Sequence, residues 1–526
     1  MPGVIIILML AAFGFRLLTG GYYIIKPSLF VATVSTMAIC LFLLCLKKEV
    51  RKPIEARMLT IAVAMPLLAW CLPSVGALLL IMCVWVPLAA GRFSLLAPVY
   101  LFSLLLLPGL DGPLMIGSFK LVDFGVHDAL ALGAAVAIFV NPAKAKCRME
   151  WDIMVFAVVV LIAMALARDT TASHNLRVIT EVSLDFALPY YIVSRGVRSA
   201  DEMRAALLWL GGAAVLLAAL LIFELWKSWP IYYELYRAHE MQTVLMGKVR
   251  GGFIRASGPL VEPTSMAMLL GLCFVALYLS RTAFRNRYYF LLALTVVGIG
   301  LIAPQSRSAW IGTGIAIALA DLLCRRYAQL AGKLVVAGGA LSALLLAAQF
   351  SPSLSETLGL SGASSETTDY RRMLLDRGLQ EISQHPITGH SLQQLQHLLS
   401  DLVQGEGIID FVNTYIWIML LSGIGGLIIF CTPIIYFLAR VFKEGRFGRR
   451  DGRNVELGAF VFAVLFMFSE MFFFTSFGTR PAMFQFILFG FGDAFIRFQR
   501  QGAETPDAVP QAATPGLLAP PPSLLA

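Results

Sequence analysis

Apolar segments about 20 residues long recur from the first residues of this chain almost to its last, and they limit the possible folds more than any other feature. Stretches such as "AALLWLGGAAVLLAALLIFELW" and "IWIMLLSGIGGLIIFCTPIIYFLA" carry too few polar residues to present a face to water. In hydrocarbon a backbone must satisfy its own hydrogen bonds, and a helix does this within one segment. Composition agrees: of 526 residues, 58% are hydrophobic and 14% charged, where soluble chains carry about 25% charged residues. The expectation is an all-α polytopic integral membrane protein with about 12–16 transmembrane helices, between candidate spans 3–16 and 481–497. The run from Val4 to Phe15 lacks a basic leader and a small-residue cleavage site, so it reads as a retained helix.

The net charge of +9 reads as a topology signal, not as a sign of a nucleic-acid partner. With the N-terminus inside, alternate loops collect "KKEVRKPIEAR", Arg92, "KAKCR", "RGVRSADEMR", "RTAFRNR", "RRYAQLAGK" and "RVFKEGRFGRRDGR". These and the C-terminal tail hold roughly 26 of the 41 lysines and arginines, which puts both termini in the cytoplasm. Residues 1–498 form the membrane domain, and the Pro/Ala-rich 499–526 reads as a disordered cytoplasmic tail. The long outer segments are 108–123, 226–263 and, largest of all, 350–411. The last opens with a Ser/Thr/Gly-rich loop and continues as an amphipathic helix over 369–384. That helix has Asp369 as N-cap and Met373, Leu374, Leu375, Leu379 and Ile382 at helical spacing, and it lies on the membrane surface or caps a cavity. The eight cysteines fall in apolar runs or short basic loops, with no metal-site spacing.

Several polar residues stand where topology does not place them. In "KVRGGFIRASGPLVEPTSM", Lys248, Arg250 and Arg255 crowd the outer mouth of a helix beginning near 264. Its N–H groups and the arginines would together hold an anion; the plainer reading is that the arginines reach lipid headgroups while Glu262 neutralises Arg255. Arg307 sits in a short outer connection, as a second phosphate ligand or as an ion pair with Glu181, Asp185 or Glu470. Arg371 and Arg372 lie on the polar face of the loop helix, followed by His385 and His390. Asp410 and Asn413 mark the return of the chain to the membrane, Asp410 being a base or a helix N-cap. Gly423, Gly425 and Gly426 read as helix-packing glycines. Glu181 and Asp185 share one helix face, and with Glu470 and Arg480 they are functional candidates or charge balance.

The order of "RASGPLVEP", "SRSAW", "YRRMLLDRGLQEISQHPITGH" and "VNTYIWIMLLSGIGG" resembles the bacterial O-antigen ligase / O-antigen polymerase superfamily, which includes Wzy-type exopolysaccharide polymerases. The resemblance spans about residues 150–480. It implies a metal-independent, cofactor-free membrane glycosyltransferase of the inner membrane, acting at its periplasmic face on undecaprenyl diphosphate-linked glycans. Chain-length regulator and export proteins are the partners it implies. Ligases of the family carry a His-Asn pair ahead of Gly-x-x-Gly. Asn413, Gly423 and Gly426 match that pattern, while Val412 stands in the His position, which favours a polymerase over a ligase. A flippase for the same lipid-linked glycan is the alternative of another class. The resemblance and the charges together assign the diphosphate to Arg250, Arg255, Arg307, Arg371 and Arg372. Asp410 or His390 is then the catalytic group, with Glu406 a further rival.

Overall fold

A computed structural model describes residues 2–504 apart from 20, 118, 142–151, 240, 242–248, 251, 352–354, 356–362, 403–408, 410, 446 and 448–453. The protein is an all-α polytopic membrane protein, and each apolar run of the sequence is a helix. Among the described residues, Tyr22–Cys45, Ala200–Lys227, Tyr327–Phe350 and Thr414–Glu444 are long and apolar enough to cross a membrane alone. Further apolar helices, such as Val126–Phe139 and Pro263–Leu279, are shorter, and Val75–Ala90 and Phe93–Leu106 meet at 118° as a broken span or re-entrant pair.

The bundle is built around Ala200–Lys227, whose apolar stretch is 83% buried. Its polar caps are at its ends: Ser199 accepts from the Glu202 N–H, and Ser228 closes the helix in a left-handed conformation. Helices Leu96–Leu106, Pro263–Leu279, Arg287–Ile302 and Tyr22–Cys45 pack around it. With lipid no more apolar than a leucine side chain, close packing and hydrogen bonds hold such helices together rather than hydrophobic burial.

Hydrogen bonds tie several of the loops to one another. Lys47 N–H donates to the Ala283 carbonyl, Arg285 Nε donates to the Leu46 carbonyl at 3.0 Å, and Arg195 pairs with Asp152. Tyr236 Oη donates to the Gly109 carbonyl at 3.1 Å and Asp123 N–H to Glu181 at 3.4 Å. Thr414 N–H donates to the Phe472 carbonyl at 2.9 Å.

Three expectations change in detail. The outer segment 108–123 carries an antiparallel hairpin, Asp111–Ile116 with Phe119–Gly125, turning at Gly117. The loop helix starts at Ala363, so Asp369 lies inside it and is not its N-cap. Its stretch "SSETT" is polar but holds no glycine or proline to stop a helix. Helix Thr479–Glu504 runs on into the stretch read as tail, and 505–526 lie outside the described residues.

Candidate active site

The loop before helix Pro263–Leu279 is fixed from beneath by a residue that the sequence reading passed over. Glu224, fully buried in the central helix, accepts the backbone N–H groups of Ser257 at 3.1 Å and Gly258 at 3.0 Å. A carboxylate at that depth is costly unless hydrogen-bonded, and the two amides supply that bonding. Gly258 takes φ +55°, and Val261 is held at φ +60°, an uncommon conformation for a β-branched residue and a mark of a position fixed by its surroundings.

Above this turn Arg255 Nε donates to the Pro304 carbonyl at 2.9 Å, and Arg250 Nη1 to the Gln305 carbonyl at 2.9 Å. Both side chains are therefore built into the connection leading to Arg307, the first residue of helix Arg307–Leu323. Burial pulls the Arg255 guanidinium below its usual range; Glu262 opposes this, and the positive charges of Arg371 and Arg307 add to it. Residues far apart in sequence thus share one electrostatic neighbourhood. Glu262 does not simply neutralise Arg255: its carboxylate caps helix Pro263–Leu279, accepting from Thr264 and Ser265 N–H. Those two amides are already occupied, so they are not open to an anion as the sequence reading expected.

The loop helix Ala363–Gln384 packs through Leu374, Gly378 and Ile382 onto Phe411, Ile416 and Leu420. Met373, Leu375 and Leu379, expected on the same apolar face, are exposed. A cavity of about 350 Å³ opens between the loop helix and the start of Thr414–Glu444, lined by Arg371, Arg372, Val412, Asn413 and Phe473 among others. A further apolar pocket of about 400 Å³ shares Asn413, Ile416 and Phe473 and runs down to Ile435. Asn413 is the N-cap of helix Thr414–Glu444, its Oδ1 accepting from Tyr415 at 3.0 Å and Ile416 at 3.2 Å. The N-cap reading of Asp410 is thereby removed. Asp410 itself, Lys248 and Glu406 lie outside the described residues.

Gly423 is a break and not a packing position. Inside helix Thr414–Glu444 it takes φ 67° and ψ −171°, and the segment 385–390 fills the gap. Ile424 N–H donates to the Pro386 carbonyl at 2.8 Å, and His390 N–H to the Leu420 carbonyl at 2.7 Å. Arg168 Nη1 closes the arrangement on the Thr388 carbonyl at 2.8 Å. A Cβ on Gly423 would lie 2.2 Å from the Ile387 oxygen, so only glycine fits there. His390 is buried at this junction, its ring edge-on to His385 at 4.8 Å, and it is not among the residues lining the arginine cavity.

Glu181, Asp185 and Arg480 form a separate group. Asp185 lies in the field of Asp128, Arg480, Asp111 and Glu181, and Arg480 Nη2 rests against Gly109. Asp111, in the hairpin, is pushed above its usual carboxylate range by burial; Arg480 opposes this and Asp123 adds to it. Glu470 Oε2 is buried against Gly312 with no hydrogen-bond partner among the described residues. Glu224, Arg168, Trp417 and Ser422 are the residues missed from sequence. The first had a signal, a lone acid within an apolar run.

The fold and the site together define a polytopic helical membrane protein with an arginine-walled cavity at one end. Residues 288–431 match a family model described as O-antigen ligase, which supports the O-antigen ligase/polymerase superfamily. The match takes in Arg307, Arg371, Arg372, Asn413, Gly423 and Gly426 but stops short of Arg250, Arg255 and Arg480. No curated protein matches the chain.

Proposed function

We propose that this protein polymerises undecaprenyl diphosphate-linked oligosaccharide repeat units at the periplasmic face of the inner membrane, with both termini cytoplasmic. The observation that carries this reading is the cavity lined by Arg371 and Arg372, with Arg371 and Arg307 near enough for their charges to act on Arg255. Polyprenyl diphosphate is both the anchor and the leaving group of such a donor. Guanidinium groups keep their charge at every physiological pH and bind phosphate oxygens in pairs. They stabilise the diphosphate as its bond to the anomeric carbon breaks. The acceptor hydroxyl forms the new bond to that carbon and gives its proton to a base, for which Asp410 is the proposed group. The polyprenyl chain follows the apolar pocket from Asn413 towards Ile435. Val412 in place of a histidine favours the polymerase over the ligase.

The test is the lipid-linked glycan that accumulates in a strain lacking the protein. Single repeat units at the outer face are expected. Long unattached chains would mean a ligase, and units held at the cytoplasmic face a flippase; either result overturns the proposal.

A further inference from the structure

Helices Asp152–Ala167 and Thr414–Glu444 and the helical stretch 172–196 enclose a third cavity, about 260 Å³ in volume. Its walls are apolar except for Glu181 and Asp185 from one helix and Trp417 and Ser422 from another. The spacing of the two acids places both on one face, and Asp185 stands within a π turn, Ser183–Ala187, that interrupts the α-helix. Such turns break regular hydrogen bonding and collect at functional positions. Glu181 is oriented by the Asp123 N–H. Ser422 Oγ, beside the Gly423 break, is buried without a hydrogen-bond partner among the described residues. The Trp417 ring is fixed by Phe411, stacked on it with ring centroids 5.3 Å apart. Phe411 in turn lines the arginine cavity, so the two chambers flank the same turn of helix.

A largely apolar chamber with a few convergent polar groups is the usual form of a small-ligand site. A buried hydroxyl without a partner is complementary to a ligand that brings one. A sugar ring meets each requirement, since its hydroxyls reach carboxylates and its apolar face lies on an indole. The acids around this chamber, Glu181 and Asp185 with Asp128 and Asp111 nearby, disfavour a ligand that brings a further carboxylate. We propose that this cavity is a subsite for one pyranose ring of the glycan, neutral or amino-substituted and not a uronate, held by Glu181, Asp185, Ser422 and Trp417. The inference rests on the glycan-transfer reading above. The ring belongs to the donor or to the acceptor chain, and transfer kinetics separate the two.

The test uses oligosaccharide fragments released by mild acid from the polysaccharide of the cells that carry this protein. They are titrated onto the purified full chain in nanodiscs, with tryptophan fluorescence as the readout. Saturable binding is expected, with the signal largely lost in Trp417→Phe and the affinity about tenfold weaker in Asp185→Asn and in Glu181→Gln. Ala165→Leu fills the cavity while leaving every polar group in place, and it should abolish binding. Equal binding by the wild type and all four variants overturns the subsite, as does preferential binding of uronate fragments. In steady-state transfer, a raised KM for lipid-linked donor in Asp185→Asn assigns the ring to the donor, and a raised KM for acceptor assigns it to the acceptor. Unchanged values for both overturn the subsite. Absence of transfer by the wild type, with fragment binding intact, removes the polymerase reading and leaves the subsite standing.

Discussion

Arg255 is tied to the Pro304 carbonyl through Nε and to Thr264 Oγ1 through Nη2 at 3.4 Å, so its guanidinium is held from a fixed stem. Arg255→Ala should lower transfer by roughly 2–5 kcal/mol of lost charge-assisted contact. Arg255→Lys should be impaired as well, since an ammonium cannot make the Pro304 contact and a paired phosphate contact together. Polymer output at normal protein level is the measurement, and wild-type output from Arg255→Ala would sink the assignment. The arginines were legible in the sequence because a cation on the outer side contradicts the charge bias that orders the other loops. What orients them was not. The acceptors of Arg250 and Arg255 are main-chain carbonyls at 304 and 305, and any sequence offers carbonyls everywhere. Asn413 shows the same limit from the other side: it stood out in sequence as a matched family position, and in the fold it caps a helix.

Helices were readable as elements because each apolar run has to close its hydrogen bonds locally. Interruptions of helices were harder. Gly423 and Gly425 are alike on paper, yet one stands at a break with φ 67° and the other meets nothing within 4 Å. Gly423→Ala should therefore cost roughly 1–3 kcal/mol from the backbone alone, since a positive φ with ψ near 180° is essentially confined to glycine, and more because the Ile387 oxygen occupies the space of the methyl group. Gly425→Ala should be neutral or gain roughly 0.5–1 kcal/mol, as alanine does in a helix. Thermal unfolding of the two variants in detergent checks this, and equal midpoints would refute the interlock between 385–390 and the broken helix. The periodicity of the loop helix misled for a related reason. Its stripe was read as facing one surface, but the helix lies between a helical wall and an open cavity, so Leu374 is buried while Leu375 and Leu379 are not.

For the whole molecule, the charge count predicts two sets of loops on opposite sides of the membrane. A single cysteine at Gly117 or Ile387, in a chain without other reactive thiols, should react with a membrane-impermeant maleimide added to spheroplasts. A cysteine at Glu49 or Arg287 should react only after the membrane is opened. Labelling of both pairs from one side would contradict the topology. Helix Tyr327–Phe350 stands apart from this order. Its apolar window has no buried residues, and it is joined to the bundle at its base, where Lys333 pairs with Asp321. Sequence alone could show that it is apolar, but not that its neighbours leave it bare.

The seating of 385–390 in the gap at Gly423 also has a meaning in time. A ribosome delivers the chain from the N-terminus at roughly 5–20 residues per second, so "HPITGH" is made before the helix that receives it. Arg168 is waiting by then, but the Leu420 carbonyl and the Ile424 amide are not. Until Thr414–Glu444 has entered the membrane, the outer loop has only half of its dock, and Arg371 and Arg372 have no opposite wall. A nascent chain halted before residue 424 would carry the arginines of the proposed donor site without its cavity, and the completion of that cavity would coincide with the insertion of a single helix.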